Sequence, residues 1–313
     1  MKILFEPWNL GDAIIAASVA KSDPDRFTLA CNSKWHEVLT LASNGSLKLI
    51  RLDLPYVWRT DKNFFSLGEA ASIRTRYTTE QRRQIEVISI RGDVRDLVAA
   101  HRIFKGAAFH FSGWLPFCAR KSPLVDLPFR FGLLKVRNRY HAWAQAAHIP
   151  FNIVEHPYDA HPEKRADAPV VIHIGAQWRS KQYPQVAGLA VLLRDAGNRV
   201  IILAGPDDTL PPGVDPKDVR RPKWPELVSH LRNARIIITN DSGPMHLAAY
   251  LGSKTLVLSR CANILEWLPP GAKAISSPSA PKGYRPIPDY WTDHILDEWP
   301  SPEEVKARYD DWV

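Results

Sequence analysis

The chain has 313 residues, 45% hydrophobic and 24% charged, an ordinary globular composition that is too long for one α/β core and about right for two. No window approaches the roughly 20 apolar residues of a membrane span, and the opening MKILFEPWNLGD meets Glu6 and Pro7 before it can form the apolar stretch of a secretion signal, so a cytoplasmic protein is expected. Cys31, Cys118 and Cys261 are odd in number, far apart and without CxxC spacing, which argues against a disulfide framework or a thiolate metal site and for reduced core thiols.

The net charge of +8 is unevenly placed: residues 1–150 hold 22 Lys and Arg against 13 Asp and Glu, whereas residues 151–313 hold 19 against 20. Most of the excess lies between Arg102 and Arg139, where Lys105, Arg120, Lys121, Arg130, Lys135 and Arg137 face one acid, Asp126. A positive field on one half attracts an anionic partner, although a solvated basic surface has the same composition.

In chain order, short β-rich runs alternate with helical patterns, as in parallel βαβ units. KILFE (2–6) reads as a strand, followed by a turn and a helix over 12–20; strands are expected at 27–31, 47–52, 85–90 and 107–111, with helices near 35–43 and 93–103. Residues 53–84 and 112–133 mix aromatics, Pro and Arg without a readable period. A helix near 140–147 ends at Pro150, and the Pro-rich, charged stretch that follows has the character of a linker. The domains expected are therefore 1–150, a linker over 151–168, and 169–313. The second begins with PVVIHIGA (169–176) and continues with a helix near 185–196, a strand at 199–205, a helix near 224–233 and strands at 234–240 and 254–259. Ser301 followed by Glu304 predicts a capping box opening a last helix, with a return of that helix onto the N-terminal half left open.

Candidate chemistry concentrates in IIITNDSGPMHLAAYLGSKTLVL, a strand, tight turn, helix and strand. The turn falls at the carboxyl end of its strand, where open α/β sheets bind ligands. Ser242 suits a helix cap, Gly243 permits close backbone approach and Pro244 needs no N–H in the first turn. Amides at such a helix start, with the positive end of the dipole, suit a phosphate or diphosphate; a well-capped turn without a ligand has the same pattern. The chain lacks GxGxxG after the first strand, a Walker A lysine motif, GxSxG and HExxH. The acidic pairs Asp207-Asp208 and Asp310-Asp311 do not make a convincing metal site.

Asp241-Ser242-Gly243-Pro244-Met245-His246-Leu247-Ala248-Ala249, with Leu251-Gly252 after it, resembles the donor-site motif of glycosyltransferase family 9, the heptosyltransferase-like enzymes. Leu10-Gly11-Asp12 after the first strand, IEVISIRGDVRDLVAA, and IHIGAQWRSKQYP with Lys181 are similar to further parts of that family. The resemblance implies the GT-B fold, two Rossmann-like α/β domains facing a central cleft. It also implies a glycosyltransferase, inverting and metal-independent, that moves a heptose-like sugar from a nucleotide-diphosphate donor and needs no cofactor. Asp12 matches the family's proposed general base, although without the family a helix N-cap is the simpler reading. Lys181 matches a lysine facing the donor phosphates, and Trp178, Arg179 and Ser180 depart from the polar residues expected before it. Gly243, Pro244 and Met245 would hold the diphosphate, Asp241 would reach sugar hydroxyls or orient the loop, and His246 would bond a phosphate oxygen or pack in the helix. Asp207 and Asp208 stand where ribose or sugar is bound, or simply form a turn.

With the basic N-terminal half, the acceptor expected is the anionic core of a lipopolysaccharide, with Arg120 and Lys121 on the acceptor side and peripheral association with a membrane surface allowed. Two alternatives stand beside it. One is transfer to a modified base of nucleic acid, with Trp35, Trp58, Trp114 and Trp143 as stacking residues. The other is a nucleotide-sugar binding protein without turnover.

Overall fold

A computed structural model describes residues 1–52, 78–90, 94–111, 138–150, 167–177, 181–260, 264–276 and 299–312. Trp58, Trp114, Cys118, Arg120, Lys121, residues 151–166, 178–180 and Cys261 lie outside the described residues. The chain divides into two compact units. Among the described residues, the first contains those up to Phe111 together with 139–150, and the second contains Asn138 and everything from Asp167 onward.

The first unit runs β1 (Lys2–Glu6), α1 (Leu10–Ser22), β2 (Phe27–Asn32), α2 (His36–Ala42), β3 (Leu49–Leu52), α3 (Thr79–Arg83), β4 (Glu86–Ser89), α4 (Val94–Ile103), β5 (Ala108–Phe111) and α5 (Arg139–Ala146). Its five strands are all parallel, in the order β3-β2-β1-β4-β5. Strands buried on both faces read as continuous apolar runs rather than alternating ones, and β1 and β2 are of this kind. Helix α1 is apolar almost all round, with Ala13, Ala16, Ala17 and Ala20 buried; its small side chains let it lie close between the sheet and α5. Ile3, Phe5, Trp8 and Val87 pack with Ala100 of α4 and Phe104 just after it in one core.

The second unit runs β6 (Val170–His173), α6 (Val186–Asp195), β7 (Val200–Leu203), β8 (Val219–Arg220), α7 (Trp224–Asn233), β9 (Ile236–Asn240), α8 (Gly243–Tyr250), β10 (Thr255–Ser259), α9 (Ile264–Trp267), β11 (Lys273–Ser276) and α10 (Pro302–Asp310). Its six parallel strands lie in the order β11-β10-β9-β6-β7-β8. In both units the second strand lies on one side of the first and the chain then crosses to the other, so each sheet is doubly wound. The strand order reverses beside β1 in one and beside β6 in the other, and loops diverge there at the carboxyl edge. The strands β8 and β11 escape a sequence reading because one has only two residues and the other is a short, mostly exposed edge.

Helix α10 opens with the expected capping box: the Ser301 amide donates to Glu304 Oε2 at 2.7 Å, and the Glu304 amide donates to Ser301 Oγ at 3.2 Å. Val305 and Tyr309 then enter the core around Val170, Leu189 and Ile236, which anchors the last helix on α6 within the second unit. Cys31 is fully buried, and burial with the nearby Glu6 carboxylate pushes its thiol up to about 12, as expected of an inert core thiol. Trp143 is also core, 1% exposed, which removes it as a stacking platform for bases. Among the described residues no helix is long and apolar enough to cross a membrane.

Candidate functional site

The carboxyl ends of β6 and β9, at the reversal of the second sheet, carry a connected polar network. Asn240, the last residue of β9, is 1% exposed. Its Nδ2 donates to the Ile174 carbonyl at 2.8 Å, and its Oδ1 accepts from the Tyr183 amide at 3.1 Å. One side chain thus ties the end of β6 to the far side of the loop that leaves it. Between those two anchors sits Lys181, whose Nζ donates to Asp241 Oδ2 at 2.6 Å, with side-chain exposures of 16% and 7%. Gln182 Nε2 donates to the Ala176 carbonyl at 3.1 Å, and Tyr183 Oη donates to the Pro300 carbonyl at 2.9 Å. The loop carrying Lys181 is therefore held from three directions.

Beside the pair begins α8. Ser242 occupies its N-cap position, but its hydroxyl donates back to the Asn240 carbonyl at 3.2 Å rather than accepting from the helix. Pro244 has no N–H, and the Met245 amide donates to the Ser242 carbonyl at 3.1 Å. Met245 itself is fully buried against Val257 and Ile264. Of the expected Gly243, Pro244 and Met245 amide cradle, Gly243 is thus the residue placed to offer an N–H, since proline lacks one and Met245 has spent its own. His246 is 4% exposed, one turn into the helix. After α8, Gly252 takes a left-handed conformation (φ 75°) and its amide donates to the Ala249 carbonyl, the helix stop that glycine favours.

At the neighbouring end of β7, Asp207 is exposed, whereas the Asp208 carboxylate folds back onto the Gly205 amide at 2.5 Å. Arg221 donates to the Gly205, Pro206 and Asp208 carbonyls. A side chain at Gly175 would overlap the Asp208 carboxylate and force it to shift. Asp208 is engaged in closing its turn, the simpler of its two sequence readings; Asp207 keeps the outward position.

His173, which ends β6, was not singled out from sequence because a histidine in a strand carries no distinctive spacing. It is 6% exposed and its Nδ1 has no partner among the described residues. Burial depresses its pKa to about 4, against the opposing pull of the Asp208 carboxylate and a bond to the Gly175 backbone.

In the first unit, Asp12 is half-buried and occupies the third position of α1; the N-cap is Asn9, and the Ala13 amide donates to its carbonyl at 3.0 Å. Asp12 is therefore not the cap residue that the simpler sequence reading suggested, although a carboxylate in a first turn is still favoured by the helix dipole. Upstream of it, Trp8 Nε1 donates to Asp96 Oδ1 at 2.6 Å and Trp35 Nε1 donates to the Trp8 carbonyl at 2.6 Å. Neither bond was legible in advance, since each joins residues distant in sequence.

The model of glycosyltransferase family 9 (heptosyltransferase) matches residues 148–281. A search of curated proteins finds no match. Among solved structures the chain is similar to Escherichia coli ADP-heptose lipopolysaccharide heptosyltransferase II (15% identity over 99% of this chain and 97% of that one, TM-score 0.61). It is similar to the Escherichia coli heptosyltransferase WaaC with ADP (15% identity, 99% of each chain, TM-score 0.58). A family 9 glycosyl transferase from Veillonella parvula gives 16% identity over 99% and 96% of the two chains, with a TM-score of 0.60.

Two predictions follow from this geometry. Asn240→Ala strands the Ile174 carbonyl and the Tyr183 amide, and unsatisfied buried groups cost about 1–3 kcal/mol each, so chemical denaturation should show a loss of that order; an unchanged midpoint would remove the bridge. The unfolded chain protonates His173 near the ordinary 6.5 but the folded chain only near 4. Its contribution to stability is therefore complete above about pH 6.5 and is lost as pH falls toward 4. His173→Gln should flatten that part of the stability profile, measured by urea denaturation at several pH values.

Proposed function

We propose that the chain, which has the GT-B fold and matches the family 9 model over residues 148–281, is a glycosyltransferase that transfers a heptose-like sugar from a nucleotide-diphosphate donor to an anionic acceptor. The observation that carries the reading is the pairing of Lys181 with Asp241 at 2.6 Å beside the start of α8. This places a cation, a carboxylate and a helix N-terminus together at the reversal of the second sheet.

In this reading the donor diphosphate lies against Lys181, the Gly243 amide and the positive end of α8. Asp241, freed in part from Lys181 by the phosphates, turns to the sugar hydroxyls, and Asp207 reaches the ribose. An acceptor hydroxyl attacks the anomeric carbon from the face opposite the diphosphate. The new C–O bond forms as the old one breaks, its electron pair leaving on the diphosphate, where Lys181 offsets the growing charge. Asp12 takes the hydroxyl proton. The single displacement inverts the anomeric centre, and in the step so written the cationic work falls to Lys181 and the helix start. The bound nucleotides in two heptosyltransferase structures similar to this chain are ADP and ADP-2-deoxy-2-fluoro heptose, so ADP-heptose is the donor of choice for assay. The basic surplus of residues 1–150 supports an anionic acceptor such as a lipopolysaccharide core, reached at the cytoplasmic face of a membrane.

Asp12→Asn keeps size and polarity and gives up a dipole interaction of roughly 0.3–1 kcal/mol, so the melting temperature should move by only a few degrees. Loss of a positioned base costs roughly 10²–10⁴-fold in rate. Transfer from ADP-heptose to lipopolysaccharide core should fall by that factor in kcat while donor KM holds; wild-type turnover by Asp12→Asn would exclude Asp12 as the base. Acceptor KM should rise with added salt, as attraction between a basic surface and an anion is screened, and salt independence would contradict the anionic acceptor.

A further inference from the structure

The loop between β1 and α1, residues 7–9, is fastened through one residue. Trp8 is 1% exposed and is among the largest fully buried side chains of the protein. Its indole Nε1 donates to Asp96 Oδ1 at 2.6 Å, its amide faces Glu6 Oε1 at 3.4 Å, and its carbonyl accepts from Trp35 Nε1 at 2.6 Å. The three partners come from three places. Glu6 ends β1, Asp96 lies in the first turn of α4, and Trp35 closes the short 3₁₀ turn that follows β2. Strands β2, β1 and β4 are neighbours in the sheet, so Trp8 spans the carboxyl edge on both sides of the reversal.

Two of these partners are themselves costly to bury. Glu6 is 1% exposed and Asp96 fully buried. Burying a carboxylate is costly unless it is hydrogen-bonded; the Trp8 indole N–H meets Asp96 Oδ1, and a first-turn position adds the favourable end of the helix dipole. A hydrophobic residue at 96 would pack without that cost, so the carboxylate is there for what it holds. Four residues after Trp8 comes Asp12, separated only by Asn9, Leu10 and Gly11. Gly11 offers no side chain for packing, and the N-cap Asn9 makes no side-chain bond to the helix. The entry to α1 is therefore not fixed by its own cap but by Trp8.

We infer that Trp8 and Asp96 are positioning residues for sugar transfer: their buried hydrogen bond sets the start of α1 and, with it, the Asp12 carboxylate against the acceptor hydroxyl. This rests on the reading of Asp12 as the base. A reacting carboxylate must be held to a fraction of an ångström, and displacement by about 1 Å can cost on the order of 10²-fold in rate. Neither residue needs to touch substrate to have that effect.

Trp8→Phe keeps most of the packing and deletes the indole N–H; Asp96→Asn keeps an oxygen that can accept it, and Asp96→Leu does not. Hydrogen exchange, read by mass spectrometry on full-length protein without any ligand, should speed up at least tenfold over residues 9–13 in Trp8→Phe and Asp96→Leu, with β6 to α10 unchanged. Transfer from ADP-heptose to lipopolysaccharide core should fall about tenfold or more in kcat in the same two variants, with donor KM within twofold of wild type. Asp96→Asn should restore both readouts, and it keeps the test decisive where Trp8→Phe folds poorly. Unchanged exchange and kcat in Asp96→Leu, or an Asp96→Asn as impaired as Asp96→Leu, would overturn the inference. Asp12→Asn measured beside them separates the two ideas. Loss of kcat in Asp12→Asn without loss in Asp96→Leu defeats the positioning role and leaves the base. Loss in Asp96→Leu without loss in Asp12→Asn defeats the base and leaves a loop that positions some other group.

Discussion

Asn240 is the interaction on which the second unit's functional edge depends. In a doubly wound sheet the loops after the two strands at the reversal diverge, and the gap between them is the natural ligand site. That geometry leaves backbone groups at the strand ends without ladder partners. Asn240 answers both sides at once, donating to the Ile174 carbonyl and accepting from the Tyr183 amide. An amide side chain is suited to the task because it offers a donor and an acceptor on one short arm. With the loop so tied, Lys181 is delivered to Asp241 at 2.6 Å.

The Lys181–Asp241 pair has two consequences that pull in opposite directions. Largely desolvated ions gain little net stability from one another, because desolvation offsets most of their attraction. What the pair does provide is readiness: each charge is held in place and each has a reason to exchange its partner for a ligand. In the proposed reading a diphosphate offers Lys181 more negative charge than one carboxylate, and the released Asp241 becomes an acceptor for hydroxyls. The first unit achieves a comparable fixity by different means, with Trp8 rather than an amide side chain bridging the reversal. In both units a buried polar residue at the carboxyl edge converts a generic α/β opening into a defined one.

Much of the architecture was legible in sequence because parallel strands buried on both faces announce themselves as apolar runs, as in KILFE, FTLAC and ARIIITN. Punctuation was legible as well: Ser301 with Glu304 opens the last helix as local chemistry dictates. The candidate site was legible only in part. The motif around Asp241 and the position of Lys181 could be read through family resemblance, but their ion pair joins residues 60 apart. Asp208 was ambiguous for a physical reason: the same Gly-Pro-Asp-Asp string serves a ligand or a turn, and the bond its carboxylate accepts from the Gly205 amide is a tertiary detail that the string does not announce. His173 and the Trp8–Asp96 bond were invisible because isolated polar residues in apolar strands and loops carry no period.

The central claim is that a nucleotide diphosphate is held at the reversal of the second sheet by Lys181. Calorimetric titration of ADP into the wild type, Lys181→Ala and Asp241→Asn tests it most directly. Charge-assisted bonds to phosphate are roughly twice as strong as neutral ones. The account predicts that Lys181→Ala binds ADP at least tenfold more weakly, while Asp241→Asn, which removes the carboxylate charge that competes with phosphate for the cation, binds as tightly as wild type or tighter. Equal affinity in the wild type and a folded Lys181→Ala would contradict it.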